Sequence, residues 1–353
     1  MRVFHPLSRR LCGAVTALVL VCAVPHAAWA GGMPQQDATA VTKALADADA
    51  ALKARQYDEA VKCFKRASSA AKDQSPEALW GMAMAYSQLN AFKNVDTALD
   101  KYLPLVADDA RKQAAAHNLK GQADWNAAML NEDAKKIVEA ETHFRKALEL
   151  NPNLVVAYYN LGCMLLRQKN DADGIAQLNH YLELAPKGVY AAVSKKYIEN
   201  PRRARENYAP EFSATTLEGE RVSMEELLGK VVVLDFWATW CAPCEAALPT
   251  LKRQARRAGT DPLAVISVST DSDKDKWRAY IKEHAMTWTQ VFDAKGALSR
   301  AYNVDAMPTY LVIDHEGIIR GRLVGYSFGN DGAFEDLVNK WVKAAKAAAA
   351  QAK

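Results

Sequence analysis

The stretch Val231-Val232-Val233-Leu234 runs straight into Asp235-Phe236-Trp237 and, after Ala238-Thr239-Trp240, reaches Cys241-Ala242-Pro243-Cys244. A short apolar run without polar alternation suits a strand covered on both faces, as in an α/β sheet. A Cys-x-x-Cys that follows such a strand and opens a helix places its first sulfur at a helix N-terminus, where unpaired amides and the dipole favour a thiolate. Pro243 suits the first turn, where its missing N–H has no partner to lose. Three residues along a helix brings the second sulfur beneath the first. On this reading Cys241 attacks, and Cys244 resolves the mixed disulfide intramolecularly at high effective concentration. A bridge across so small a loop adds little stability, so the pair points to redox chemistry rather than stapling.

The same half of the chain holds further short apolar runs, Leu263-Ala264-Val265-Ile266 and Tyr310-Leu311-Val312-Ile313. Ile318 to Val324 reads as another strand, joined to the last across His315-Glu316-Gly317 as a hairpin. Helix-like segments lie between the runs, Phe334 to Ala345 predicts a closing helix, and residues 346–353 form an Ala/Lys tail. The earlier half differs. From about Val41 to Pro186 it is rich in Ala, Leu, Lys and Glu and nearly free of β-branched runs, which suits helices throughout. Gly188 to Ile198 predicts a capping helix, after which Asn200-Pro201 and Arg202-Arg203-Ala204-Arg205 break the pattern. The expected organisation is a helical region over 41–187, a capping helix and linker over 188–208, and an α/β domain over 209–345. The basic run is expected to be a solvated linker.

The N-terminus narrows the setting. Arg2, Arg9 and Arg10 accompany an apolar run from Leu11 to Val24, and Ala28-Trp29-Ala30 offers small residues at a cleavage site. Residues 1–30 therefore predict a cleaved signal peptide and a periplasm-type location. The run of 14 residues is shorter than the roughly 20 that a membrane-crossing helix needs. Removing three arginines and no acid lowers the formal net charge from +4 to +1, which gives no electrostatic case for nucleic acid. Cys63, Cys163, Cys241 and Cys244 remain, too few for a disulfide scaffold in a chain of 353 residues.

Leu161-Gly162, Leu165, Gly174, Leu178, Tyr181 and Pro186, with Tyr158 at the large aromatic position, fall at the spacings of a helix-turn-helix repeat of about 34 residues. Ala140, Phe144, Ala147 and Pro152 reproduce its second-helix half one period earlier, and Ala60, Phe64 and Ala67 do so near the start. Leu79, Ala83 and Tyr86 give a first-helix half. These residues resemble the tetratricopeptide family in roughly four degenerate units, one of them lengthened between Asp109 and Asn131. The resemblance implies a stacked helical solenoid whose concave surface takes a peptide or protein segment; a spacer or dimer element is the alternative.

The strand, the Cys-x-x-Cys, the tryptophan before it and the downstream Met307-Pro308-Thr309 resemble the thioredoxin superfamily, specifically its extracytoplasmic TlpA/ResA-like branch, over about Ala209 to Lys340. Ala209-Pro210-Glu211-Phe212, Leu217-Glu218-Gly219 and Leu227-Leu228-Gly229-Lys230 are similar to the leading hairpin that this branch shares with the peroxiredoxin-related group. A peroxidase is disfavoured, because the proline and threonine usual ahead of its attacking cysteine are missing and Trp240 precedes Cys241. The fold implied is multidomain, an all-α tetratricopeptide-like solenoid followed by an α/β thioredoxin-like domain. The activity implied is thiol-disulfide exchange with protein cysteines, in the reducing direction, with no cofactor and no metal. By the same resemblance Pro308 is cis and presents backbone to the substrate, while Trp240, Met307, Ala242 and Pro243 contact it. Asp235 corresponds to the buried acid that takes the proton of the resolving thiol. The partners implied are protein thiols or disulfides, a membrane-linked electron donor, and a segment held by the repeats. A helical-repeat adaptor with a secondary redox domain is the alternative reading.

Other features carry blander expectations. Cys63 and Cys163 sit among core-type residues and read as small buried hydrophobes. His117, His143 and His180 lack ligand spacing. Asp271, Asp273 and Asp275 alternate with Ser and Lys but lack the glycine and terminal glutamate of a calcium loop, so they predict a helix N-cap and a solvated turn.

Overall fold

The computed structural model describes residues 35–131, 133–325 and 331–351, so the leader expected over 1–30 lies outside the described residues. The described chain divides into two compact units, with the division between Arg205 and Glu206.

The first unit is helical and built in pairs. α1 (Gln35–Lys53) packs on α2 (Tyr57–Ala70), α3 (Pro76–Gln88) on α4 (Phe92–Leu105), α5 (Ala110–Asn131) on α6 (Ala134–Leu150), and α7 (Val155–Arg167) on α8 (Asp171–Leu184). α9 (Ala191–Glu199) closes the series. α1 is already helical at Gln35, ahead of the expected Val41. Three of the first helices stop in the same way: Arg55, Asn90 and Lys169 adopt φ of 57°, 55° and 67°. The next N–H then bonds back five residues, Gln56 to Ala51, Ala91 to Tyr86 and Asn170 to Leu165, at 2.9–3.0 Å. This double-bonded helix end satisfies carbonyls that the helix leaves open. None of the three positions is a glycine, so each reversal costs about 1–2 kcal/mol of backbone strain that pair packing must offset.

Packing between pairs depends on close approach. A Cβ on Gly81 of α3 would lie 2.2 Å from Cζ of Phe64 on α2, and the Phe64 ring is itself buried. At the far end, Pro201–Ala204 forms a 3-10 turn against α7, and Ala204 is buried with Tyr159, Cys163 and Leu166. Arg205 donates from Nη1 to the Leu166 carbonyl at 2.8 Å and from Nη2 to Asp171 at 3.0 Å. Its side chain is only 18% exposed. The basic run is therefore no solvated linker: its last residue anchors the turn by pairing an α7 carbonyl and an α8 carboxylate.

The second unit is a five-stranded mixed sheet. β1 (Ser213–Thr215) and β2 (Arg221–Ser223) form a leading hairpin, and the sheet itself has the order β5-β4-β3-β6-β7. β3 (Val231–Trp237) is central and pairs in parallel with β4 (Leu263–Ser269), which pairs in parallel with β5 (Thr289–Phe292). β6 (Thr309–Ile313) and β7 (Ile319–Val324) complete it as the antiparallel hairpin expected from sequence. Val231, Val233 and Trp237 face α10 (Ala242–Arg257), α11 (Lys274–Glu283) and α13 (Asp331–Gln351). Val232, Leu234 and Phe236 face the other way, toward Ile266, Val291 and Tyr302, beside α12 (Ala297–Ala301). β3 runs to Trp237, so Asp235 lies inside the strand. The closing helix starts at Asp331 and runs through the alanine-rich segment to Gln351, so residues 346–351 are helix rather than tail. Alanine is the strongest helix former, which explains the extension.

Gly81→Ala is expected to lower the stability of the first unit by roughly 1–3 kcal/mol through overpacking. Thermal unfolding of the full chain checks this, and Phe64→Leu in the same chain should recover part of the loss.

Candidate active site

The geometry that delivers Cys241 follows from β3. The strand ends at Trp237, three residues turn, and α10 begins at Ala242 with Cys241 as its N-cap at φ −92° and ψ 93°. Cys244 N–H and Glu245 N–H both donate to the Cys241 carbonyl, at 2.9 and 3.2 Å. Cys241 and Cys244 form a disulfide with Sγ atoms 2.06 Å apart. Both cysteines are buried, whereas Ala242, Pro243 and Trp240 are exposed, Trp240 to 67%. The helix end thus shows solvent an indole and a two-residue bridge, with the sulfurs just beneath.

A second segment reaches the same edge of the sheet. Thr309 pairs with Phe236 in register, so Pro308 stands beside the end of β3. The Met307–Pro308 peptide is cis, Pro308 is buried, and its carbonyl accepts from Gly325 N–H at 2.8 Å. Met307 is half-buried and its Sδ lies 3.0 Å from Thr270 Oγ1.

The turn after β4 holds these parts, and here the expectation of a solvated aspartate fails. Asp271 is buried. Its carboxylate accepts from Thr239 N–H at 3.0 Å, Thr239 Oγ1 at 2.8 Å and Ser269 Oγ at 2.7 Å. Asp273 does cap α11, accepting from Asp275 and Lys276 N–H at 3.0 Å. Nothing in the local sequence separates the two acids, because Asp271 bonds to a residue 32 positions away. The alternation of Ser, Thr and Asp at the end of a strand is the signal that was available.

Asp235 is 1% exposed on the sheet face that α10 covers. Ser267 Oγ donates to its Oδ2 at 2.7 Å, and Oδ1 has no partner among the described residues. Burial pushes its carboxyl up to about 7, with the Ser267 bond pulling the other way. An acid poised near neutrality can take and return a proton under ordinary conditions. Ser267 and its donor Trp288, 2.8 Å away, escape sequence reading because the contact of Ser267 to Asp235 is set by strand register. Cys63 and Cys163 lie buried in the helical unit, apart in sequence from this chemistry. Among the described residues, no cluster of three or more His, Cys, Asp or Glu could hold a metal.

Comparison with known proteins agrees with both units. The AhpC/TSA family matches residues 206–322, and a tetratricopeptide repeat matches residues 143–176. The thioredoxin-like protein YneN of Bacillus subtilis is 37% identical over 120 residues, which span 33% of this chain and 69% of that protein. The thiol-disulfide oxidoreductase ResA of Bacillus cereus is 28% identical over 117 residues, 33% of this chain and 68% of ResA. A crystal structure of a thiol:disulfide interchange protein of the thioredoxin family from Chlorobium tepidum aligns at 25% identity over 39% of this chain and 97% of its own, with a TM-score of 0.36. Through its second unit the chain belongs to the AhpC/TSA family, among its thioredoxin-like thiol-disulfide oxidoreductases.

Proposed function

We propose that this chain is an exported reductase of protein disulfides, with Cys241 as nucleophile and Cys244 as resolving thiol. The observation that carries the proposal is the cysteine pair at the first turn of α10, with Cys241 as N-cap. In the dithiol form, the Cys241 thiolate attacks a substrate disulfide, forming a mixed disulfide and expelling one substrate thiolate, which is protonated from solvent. Cys244 then passes its proton to Asp235, and its thiolate attacks Cys241 Sγ. The second substrate thiolate leaves, and the Cys241–Cys244 bond carries away the two electrons' worth of oxidation. Asp235 later releases its proton to solvent, and an electron donor, proposed to be membrane-linked, restores the dithiol.

The exposed Trp240, Ala242 and Pro243 form one side of the substrate contact and Met307 with cis Pro308 the other, the proline backbone being available to an extended substrate segment. The helical unit supports a role in holding a segment of the partner protein. Export rests on the leader at residues 1–30, whose removal would leave a chain in which no described helix is long and apolar enough to cross a membrane.

Cys241→Ser should abolish disulfide exchange, whereas Cys244→Ser should accumulate a mixed disulfide with the natural partner, read on non-reducing gels. Retained activity in Cys241→Ser removes the assigned nucleophile. The couple's midpoint in defined thiol buffers is expected near about −270 mV, as for a reductant, and a value near about −120 mV reverses the direction of transfer. Folded Asp235 keeps its proton up to about 7, where an unfolded chain has released it from about 4 upward. The oxidised protein should therefore lose stability as pH rises through that window, and the loss should persist above it. Asp235→Asn should flatten this dependence and stabilise the protein at pH 8 by roughly 2–4 kcal/mol, measured by denaturant unfolding.

A further inference from the structure

Asp235 belongs to a row of side chains that crosses the sheet. Gln290 of β5, Ser267 of β4, Asp235 of β3 and Tyr310 of β6 occupy matched register positions, and all are buried. Two bonds in and beside this row have a fixed direction. Trp288 Nε1 donates to Ser267 Oγ at 2.8 Å, and Ser267 Oγ donates to Asp235 Oδ2 at 2.7 Å. An indole N–H can only donate, so Ser267 must accept from Trp288, and its own single proton goes to Asp235. For Asp235 to carry its proton on Oδ2, Ser267 would have to turn its hydroxyl away and accept from both Asp235 and Trp288. Oδ1 is the oxygen without a partner.

We infer that Trp288 and Ser267 form a one-way hydrogen-bond chain that positions Asp235, stabilising the carboxylate at Oδ2 and leaving Oδ1 to receive the Cys244 proton. The inference rests on the proposed role of Asp235 as proton acceptor. Both residues act through Asp235, so they are positioning residues. The titratable groups around Asp235 are Tyr310 on β6, Cys241 and Cys244 on α10, Tyr280 on α11 against Trp237, and Asp271 after β4; α13 presents apolar Phe334 and Val338 to this core. With Cys241 and Cys244 joined as a disulfide, burial raises the Asp235 carboxyl and the Ser267 bond lowers it. The chain is thus the hydrogen-bonding influence on the group.

Removing the hydroxyl takes a hydrogen bond from a buried carboxylate and should raise its midpoint by about one unit, a tenfold gain in proton affinity. Removing only the indole donor ends its polarisation of the Ser267 hydroxyl and weakens the bond to the carboxylate, which favours the neutral acid to a smaller degree. The test uses full-length oxidised protein carrying carboxyl-¹³C aspartate, with the Asp235 signal identified by its loss in Asp235→Asn. Ser267→Ala should move its titration up about one unit and Trp288→Phe by less, in the same direction. In the reduced protein, the pH profile for resolving a mixed disulfide with a model peptide should move upward by the same amounts. An unmoved or lowered Asp235 midpoint in both variants overturns the chain. If Ser267→Ala does not fold, Trp288→Phe decides alone, since it leaves Ser267 in place. If the midpoint moves but the resolution profile does not, the proposed role of Asp235 as proton acceptor falls instead.

Discussion

All seven residues of β3 are buried, and one of them is an aspartate. The other six are apolar, and burying each of the larger ones contributes roughly 1.5–3 kcal/mol. Their sum exceeds the few kcal/mol that ionising Asp235 costs at neutral pH, so the strand can hold an acid that by itself opposes folding above its midpoint. Everything the redox unit does is referenced to that strand. Its C-terminal end sets where α10 starts, its register with β6 sets where Pro308 stands, and its register with β4 sets what Asp235 touches. The chemistry occupies the carboxyl edge of the sheet, where strand ends leave room for loops and helix N-termini.

Much of this was legible before any coordinates. The unbroken apolar run identified the central strand, the Cys-x-x-Cys after it identified the helix start, and the later hairpin followed from two apolar runs around His315-Glu316-Gly317. What was not legible has a common cause. Asp271, Ser267 and Trp288 act through contacts at separations of 21 to 32 residues, which short-range patterning does not specify. β5 is four residues long and includes a buried glutamine, so it lacks both length and apolarity as a sequence signal. Within the Ala/Lys tail, residues 346–351 conceal their helix for the opposite reason: alanine is so small that its run lacks an obvious apolar stripe, yet it propagates helix better than any other residue.

In the helical unit the repeats were visible through small and aromatic positions, but their turns were not. Glycine is the usual mark of a left-handed helix end, and here arginine, asparagine and lysine take that place. A search for glycine would have passed over three of the reversals that define the array. The fate of Arg205 was equally hidden, since a run of basic residues reads as solvated until a carbonyl and a carboxylate on two different helices are found to share one guanidinium. That shared contact ties the last turn of the unit to α7 and α8.

The turn Ser269-Thr270-Asp271 has one more bearing. Asp271 grips the loop ahead of Cys241 through Thr239, while its neighbour Thr270 reaches Met307 ahead of Pro308. Two adjacent residues in the turn after β4 therefore tie together two loops that are themselves 68 positions apart at Thr239 and Met307. The spacing between these two loops can therefore drift through substitutions in neither of them, because it is adjusted from behind.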